Sequence, residues 1–181
     1  MRVITGTARG RRLREPEGMA TRPTTDNVKE SMFNLIQFDI EGRTVLDLFS
    51  GTGQLGIEAL SRGAERCTFV DLRKDAVAVI RENLAHCRME ERATVIQGDS
   101  LAFLSGCRER FDLVFLDPPY RTGLLEKALE TIAKIDIVTG NGIIVCESPA
   151  ESVLPEGTAP YEKGREYRYG KIKITLYRRT V

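Results

Sequence analysis

The stretch "FDLVFLDPPYR" ends an apolar run in an acid, two prolines and a tyrosine. Proline has no N–H and biases the residue before it away from helix, so Asp117 and Pro118 are both held extended. The Asp117 carboxylate and the Pro118 carbonyl then stand side by side as acceptors, which suits an amine bearing two hydrogens. Pro119 delays the next turn, and Tyr120 offers a flat face to the ring carrying that amine. A nucleobase amine is a poor nucleophile because its lone pair is delocalised. Two acceptors would orient that lone pair for in-line attack on a methyl group about 3 to 3.5 Å away. Asp117 would take the proton after transfer, since a neutral amine N–H is too weak an acid to lose it beforehand. Read conservatively, these four residues only stop a strand.

The second constellation is "LDLFSGTGQLG", with Gly51, Gly53 and Gly56 spaced as GxGxxG and Asp71 fifteen residues further on. This spacing serves nucleotide cofactors in general, including NAD. Asp47 separates the options. A carboxylate at the tip of the first strand repels a pyrophosphate but attracts an ammonium. S-adenosylmethionine carries an ammonium, a ribose and no phosphate. Asp71 is suited to its ribose hydroxyls, and Asp99, in "VIQGDS", to its adenine amino group. Phe49, Ser50 and Ser100 flank these acids and complete the expected cofactor site. The plainer alternative is that Asp71 and Asp99 cap the helices that follow them.

These residues need a scaffold that gathers strand tips. The runs "TVLDLF", "CTFVD", "ATVIQ", "DLVFLD" and "GIIVCE" read as strands. Amphipathic stretches over 53–62, 74–87 and 124–135, and a shorter one from residue 100, read as the helices between them. Alternating β and α units imply a parallel sheet covered on both faces, with ligands at the carboxyl ends of the strands. An earlier helix is expected over 26–37, and a hairpin or irregular arm over 1–14. The tail, "PYEKGREYRYGKIKITLYRR", has a period of two, with Ile172, Ile174 and Leu176 on one face, and predicts an antiparallel hairpin. Tyr167, Tyr169 and Tyr177 are expected to pack within it, and His86 to lie on a helix surface.

At 181 residues and 41% hydrophobic, a single domain spanning 1–181 is expected. Four scattered cysteines without a CxxC pair, and one histidine, argue against a metal site or disulfide framework. No run reaches the roughly 18 apolar residues of a membrane span. The first residues lack the apolar centre of a signal peptide, so a cytoplasmic protein is expected. The net charge is only +1, yet residues 1–24 hold six arginines against two glutamates. Residues 161–181 hold seven basic residues against two acidic ones. Basic ends on an acidic body suit a polyanion, and Arg9, Arg11 and Arg12 of the arm are placed as its contacts. Two rival classes remain: an NAD-dependent oxidoreductase and a non-catalytic RNA-binding module.

"DLFSGTGQLG" together with "DPPY" resembles the class I methyltransferases that act on exocyclic amines of nucleobases. Gly10-Arg11 with Leu13, followed by "RPTTDNVKESMFN", resembles the bacterial RsmD family over essentially the whole chain. Thr7 and Lys29 depart from the family's usual Gly and Arg, and Ser50 to Gly53 from its usual Ala-Gly-Ser-Gly. The resemblance implies an α/β, Rossmann-like fold: a mostly parallel seven-stranded sheet with a C-terminal antiparallel hairpin, helices on both faces and an N-terminal arm. It implies S-adenosylmethionine as cofactor, with Asp47, Gly51 and Gly53 at the methionine part, Asp71 at the ribose and Asp99 at the adenine. It implies Asp117 to Tyr120 at a target guanine, methylated on N2 within 16S ribosomal RNA, with Arg22 and Thr24 closing the site. A monomer acting on a small-subunit ribonucleoprotein is the expected setting.

Overall fold

The computed structural model describes residues 1–18 and 24–181. Helix α1 (Asp26–Leu35) begins at Thr25, whose side chain accepts the Val28 amide at 3.3 Å, with Asp26 in the first turn where the helix dipole favours an acid. Then β and α units alternate: β1 (Thr44–Asp47), α2 (Gln54–Ser61), β2 (Arg66–Asp71), α3 (Lys74–Cys87) and β3 (Ala93–Gln97). They continue through α4 (Ser100–Gly106), β4 (Phe111–Leu116), α5 (Leu124–Ile135) and β5 (Val138–Pro149), and end in β6 (Tyr161–Tyr169) and β7 (Ile172–Arg179).

The seven strands form one sheet in the order β3-β2-β1-β4-β5-β7-β6. The first five are parallel, and β7 runs antiparallel to both β5 and β6. Alternate residues point to opposite faces, as the pleat requires. Val45, Leu113 and Phe115 join the core beneath α1, α2, α3 and the arm, whereas Leu46, Val114 and Leu116 join the core beneath α4 and α5. Ile172, Ile174 and Leu176 share the first core, while Tyr177 is buried in the second and Tyr167 and Tyr169 lie against the first. The tail tyrosines are thus packing residues.

Two details differ from the sequence expectations. Helix α1 stops at Leu35 because Ile36 leaves helical geometry, with its N–H turned back to the Phe33 carbonyl. Strand β5 starts at Val138, earlier than its apolar run. Asn141 takes a left-handed φ of 63° there, and the register with β4 shifts between Phe111 and Leu113. The arm is a looped hairpin closed by one bridge, Arg2 to Arg12.

That arm is fastened to α2. The buried Glu58 carboxylate accepts the Ile4 and Thr5 amides at 2.9 and 3.0 Å, and pairs with Arg62 at 3.0 Å and with buried Lys29 at 3.7 Å. Gly6 sits so close to the Ser61 carbonyl that a Cβ would lie 1.8 Å from its oxygen, so only glycine permits this crossing. The arm's arginines therefore ride on a fixed surface. Arg9 and Arg12 are exposed, and Arg11 donates to the carbonyl of His86, which lies on the exposed face of α3.

Candidate active site

Strand order reverses direction between β1 and β4, and the chains leaving their carboxyl ends diverge there to open a crevice. A cavity of about 480 Å³ occupies this position, walled by Phe49, Ser50 and Gly51 after β1, Asp71 after β2, Asp99 and Ser100 after β3, and Asp117 to Tyr120 after β4. Ten of the residues singled out in the sequence thus meet around one space. Thr24 lines it as well, whereas the expectation for Arg22 falls outside the described residues. Arg9, Arg11 and Arg12 are not part of the wall; they belong to the arm.

Two expected cofactor residues stand behind the wall. Asp47 is 2% exposed, and its carboxylate accepts the Gly56 amide at 3.0 Å. Gly53 makes the left-handed turn into α2 at φ 78°, with its open side against Ile57 and Ile80. Gly56 serves packing: a Cβ there would stand 2.3 Å from the Phe69 ring, so the absent side chain lets α2 lie close on β2. Ser50 is a staple, its hydroxyl donating to the Asp47 carbonyl at 2.6 Å and accepting the Val70 amide at 3.0 Å. Ser100 donates to the Leu48 carbonyl at 2.7 Å.

The three glycine amides of the turn are already engaged by acceptors of the protein. The Gly51 N–H is taken by Asp71 at 2.8 Å, that of Gly53 by the Ser50 carbonyl at 2.7 Å, and that of Gly56 by Asp47. Pyrophosphate sites use such glycine amides, and these three serve the turn itself. Asp71 holds its turn through a second bond, from the Arg73 amide at 2.9 Å. Asp99 caps α4 by accepting the Ala102 amide at 2.8 Å on Oδ1, which leaves Oδ2 for another donor. Capping and ligand binding are compatible here.

The electrostatics favour a cation. Burial, opposed by the Gly56 bond and reinforced by Asp71, pushes Asp47 up to about 7. Asp117 is raised well above the ordinary carboxylate range, first by burial and then by the negative charges of Glu147 and Asp47, while a Thr24 hydrogen bond works in the other direction. Gln54, on the cavity wall, keeps its buried Oε1 without a hydrogen-bond donor among the described residues. A cationic ligand with N–H donors relieves both conditions: an opposite charge favours the ionised carboxyls, and a donor satisfies the amide oxygen. S-adenosylmethionine, with its sulfonium and ammonium, fits these residues.

The sequence reading missed Gln54, Leu72, Leu101 and Glu147. Leu72, although 64% exposed, and Leu101 supply apolar wall. Glu147, near the end of β5, is 3% exposed and accepts the Tyr120 hydroxyl at 2.9 Å and the Thr24 hydroxyl at 2.8 Å. Its signal was present, because it is the acid that ends the fifth apolar strand.

The sheet order, the antiparallel β7 and the crevice together define a Rossmann-like methyltransferase fold of class I. The chain belongs to the RsmD family: the family model described as "Conserved hypothetical protein 95" matches residues 1–178. It is 40% identical over 182 residues to YlbH of Bacillus subtilis, with 99% of each chain covered. It is 35% identical over 179 residues to the ribosomal RNA small subunit methyltransferase D of Escherichia coli K12, covering 99% of this chain and 90% of that protein. Among solved structures, the yhhF protein of E. coli superposes with a TM-score of 0.87 at 34% identity, covering 100% of this chain and 98% of that one.

Proposed function

We propose that this protein transfers a methyl group from S-adenosylmethionine to the exocyclic N2 amine of a guanine in 16S ribosomal RNA. The observation that carries the reading is the position of Asp117. Its carboxyl lies at the tip of β4 on the cavity wall, with Pro118, Pro119 and Tyr120 continuing the same wall. The bound cofactor supplies an activated methyl on a cationic sulfur. Phe49, Gly51, Asp71, Asp99 and Ser100 would hold it, Asp71 toward the ribose and Asp99 Oδ2 toward the adenine, with Asp47 behind the turn contributing charge. Asp117 and the Pro118 carbonyl would accept the two amine hydrogens, orienting the nitrogen lone pair. Tyr120 would stack on the base. Asp117 would then accept the proton released on transfer.

A guanine amine inside a duplex cannot reach a cleft at the sheet edge, so the target nucleotide must be unpaired or extruded. Phosphate contacts from Arg9, Arg11 and Arg12, on the arm fixed to α2, would offset that cost. Arg22 and Thr24 would close the site from the segment leading into α1. The working unit is a single domain acting as a monomer in the cytoplasm on a small-subunit ribonucleoprotein. The choice of small-subunit ribosomal RNA is supported by the E. coli relative's name, and that of N2 guanine over other base amines by the resemblance to the RsmD family alone. The test is to incubate the protein with unmethylated small ribosomal subunits and labelled cofactor, then locate the product by mass spectrometry. A single N2-methylguanine in 16S RNA is expected. Label on another base amine would move the assignment to that base, and no label on RNA would overturn it.

A further inference from the structure

We propose that Glu147 is a positioning residue for the transfer step: from behind the site, one buried carboxylate locks the Tyr120 ring and the Thr24 segment and sets the charge around Asp117. The inference rests on the reading of Asp117 to Tyr120 as the target-base site.

The geometry is specific. Glu147 lies on β5 between the parallel strand β4 and the antiparallel β7, where Ile174 is its register partner. A carboxylate buried to this degree is costly unless its oxygens are hydrogen-bonded. Here each oxygen takes a hydroxyl from a different segment: Oε1 from Tyr120, in the turn after β4, and Oε2 from Thr24, ahead of α1. Both donors line the cavity with Asp117. A tyrosine anchored by its hydroxyl has the long axis of its ring fixed in place, which a platform for a base requires. Thr24 connects the same carboxylate to the chain that runs back to the basic arm, so the base platform and one margin of the site are set by a single residue.

Asp117 feels this arrangement. Among the described residues, the groups facing its carboxyl are Asp47 from β1, Glu147 from β5 and the Thr24 hydroxyl, with the Tyr120 hydroxyl bound to Glu147 beyond. Two like charges disfavour ionisation of the third. Removing the Glu147 charge makes Asp117 easier to ionise.

The variant Glu147→Gln, assayed for methyl transfer to small subunits across pH, separates positioning from support of the fold. Cofactor binding, read by calorimetry, should be retained, while kcat falls by about tenfold or more through loss of orientation. The acid limb of the kcat profile should move to lower pH. Tyr120→Phe should also lower kcat but leave the limb in place, because it removes a hydroxyl and no charge. Wild-type kcat, RNA KM and acid limb in Glu147→Gln would overturn the proposal. If that variant does not fold, shown by lost cofactor binding, then Tyr120→Phe and Thr24→Val decide, and wild-type transfer by both would overturn it. Absence of transfer by the wild-type protein would instead strike the functional reading beneath the proposal.

Discussion

The Asp47 carboxylate accepts the Gly56 amide hydrogen at 3.0 Å, so the acid ending β1 secures the first turn of the helix that follows. Burial raises this acid from its ordinary 3.8 to about 7. A carboxyl whose value rises on folding stabilises the fold at pH below its unfolded value, and that stabilisation is lost as pH climbs through the folded value. A shift of this size corresponds to about 4 kcal/mol as an order of magnitude. Thermal melts of cofactor-free protein should therefore show the Asp47 contribution shrinking between about pH 4 and pH 8. Asp47→Asn should make the profile shallower across that window, and an unchanged profile would show that Asp47 is not held neutral. Asp136, lowered to about 2 chiefly by its hydrogen bond with Arg179, acts in the opposite sense and below this window.

Cofactor binding should carry the same signature. A cation entering beside Asp117 and Asp47 favours their ionised forms, so protons leave as it binds. Calorimetric titration with S-adenosylmethionine near pH 6.5, repeated in buffers of different ionisation enthalpy, should report net proton release of roughly one-half or more. Zero exchange would mean that the carboxyls are already ionised without the ligand.

The glycines of the turn should fail in different ways. Gly56→Ala drives a methyl into Phe69 and Cys67, at 2.3 and 2.7 Å, and should cost about 1–3 kcal/mol in denaturant unfolding. Gly51 has open space around its Cβ position but a φ of +56°, and it lies on the cavity wall. Gly51→Ala should therefore cost about 1 kcal/mol of stability while weakening cofactor binding more than Gly56→Ala does. Equal stability losses would contradict the division of labour.

The arm gives two separable outcomes. Glu58→Gln leaves Lys29 buried without its counter-charge and weakens the hold on Ile4 and Thr5, at an expected cost of about 3–5 kcal/mol. Hydrogen exchange should show the arm opening first. Replacing Arg9, Arg11 and Arg12 together with alanine should leave the melt unchanged and reduce the salt slope of RNA binding by roughly one unit for each phosphate no longer neutralised. An unchanged slope would remove the arm from the RNA interface.

Much of this architecture was legible in the sequence because a parallel strand buried on both faces, as β1, β2 and β4 are, reads as a short apolar run, and even the partly buried edge strand β3 keeps enough apolar residues to show. All five such runs are strands, and the acids that end β1, β2 and β4 sit where strand tips converge. Asp117 to Tyr120 were legible for a local reason, since two prolines fix the chain whatever surrounds it. Side-chain direction was not. Asp47 turned inward because the Gly56 amide at the start of α2 needs an acceptor, a relation visible only once α2 lies on β2. Glu58 looks like a solvent-facing helix residue until the arm folds over it. Glu147 became a hub only because the turn after β4 and the segment before α1, distant in sequence, both meet the end of β5.

The role proposed for Asp117, handling the amine that receives the methyl, is tested most directly by the rate of methyl transfer to small ribosomal subunits by Asp117→Ala. The rate is measured at saturating cofactor, beside calorimetric proof that the cofactor still binds. A fall of about 10²-fold or more with the cofactor bound is the predicted result. Transfer at the wild-type rate would contradict the account.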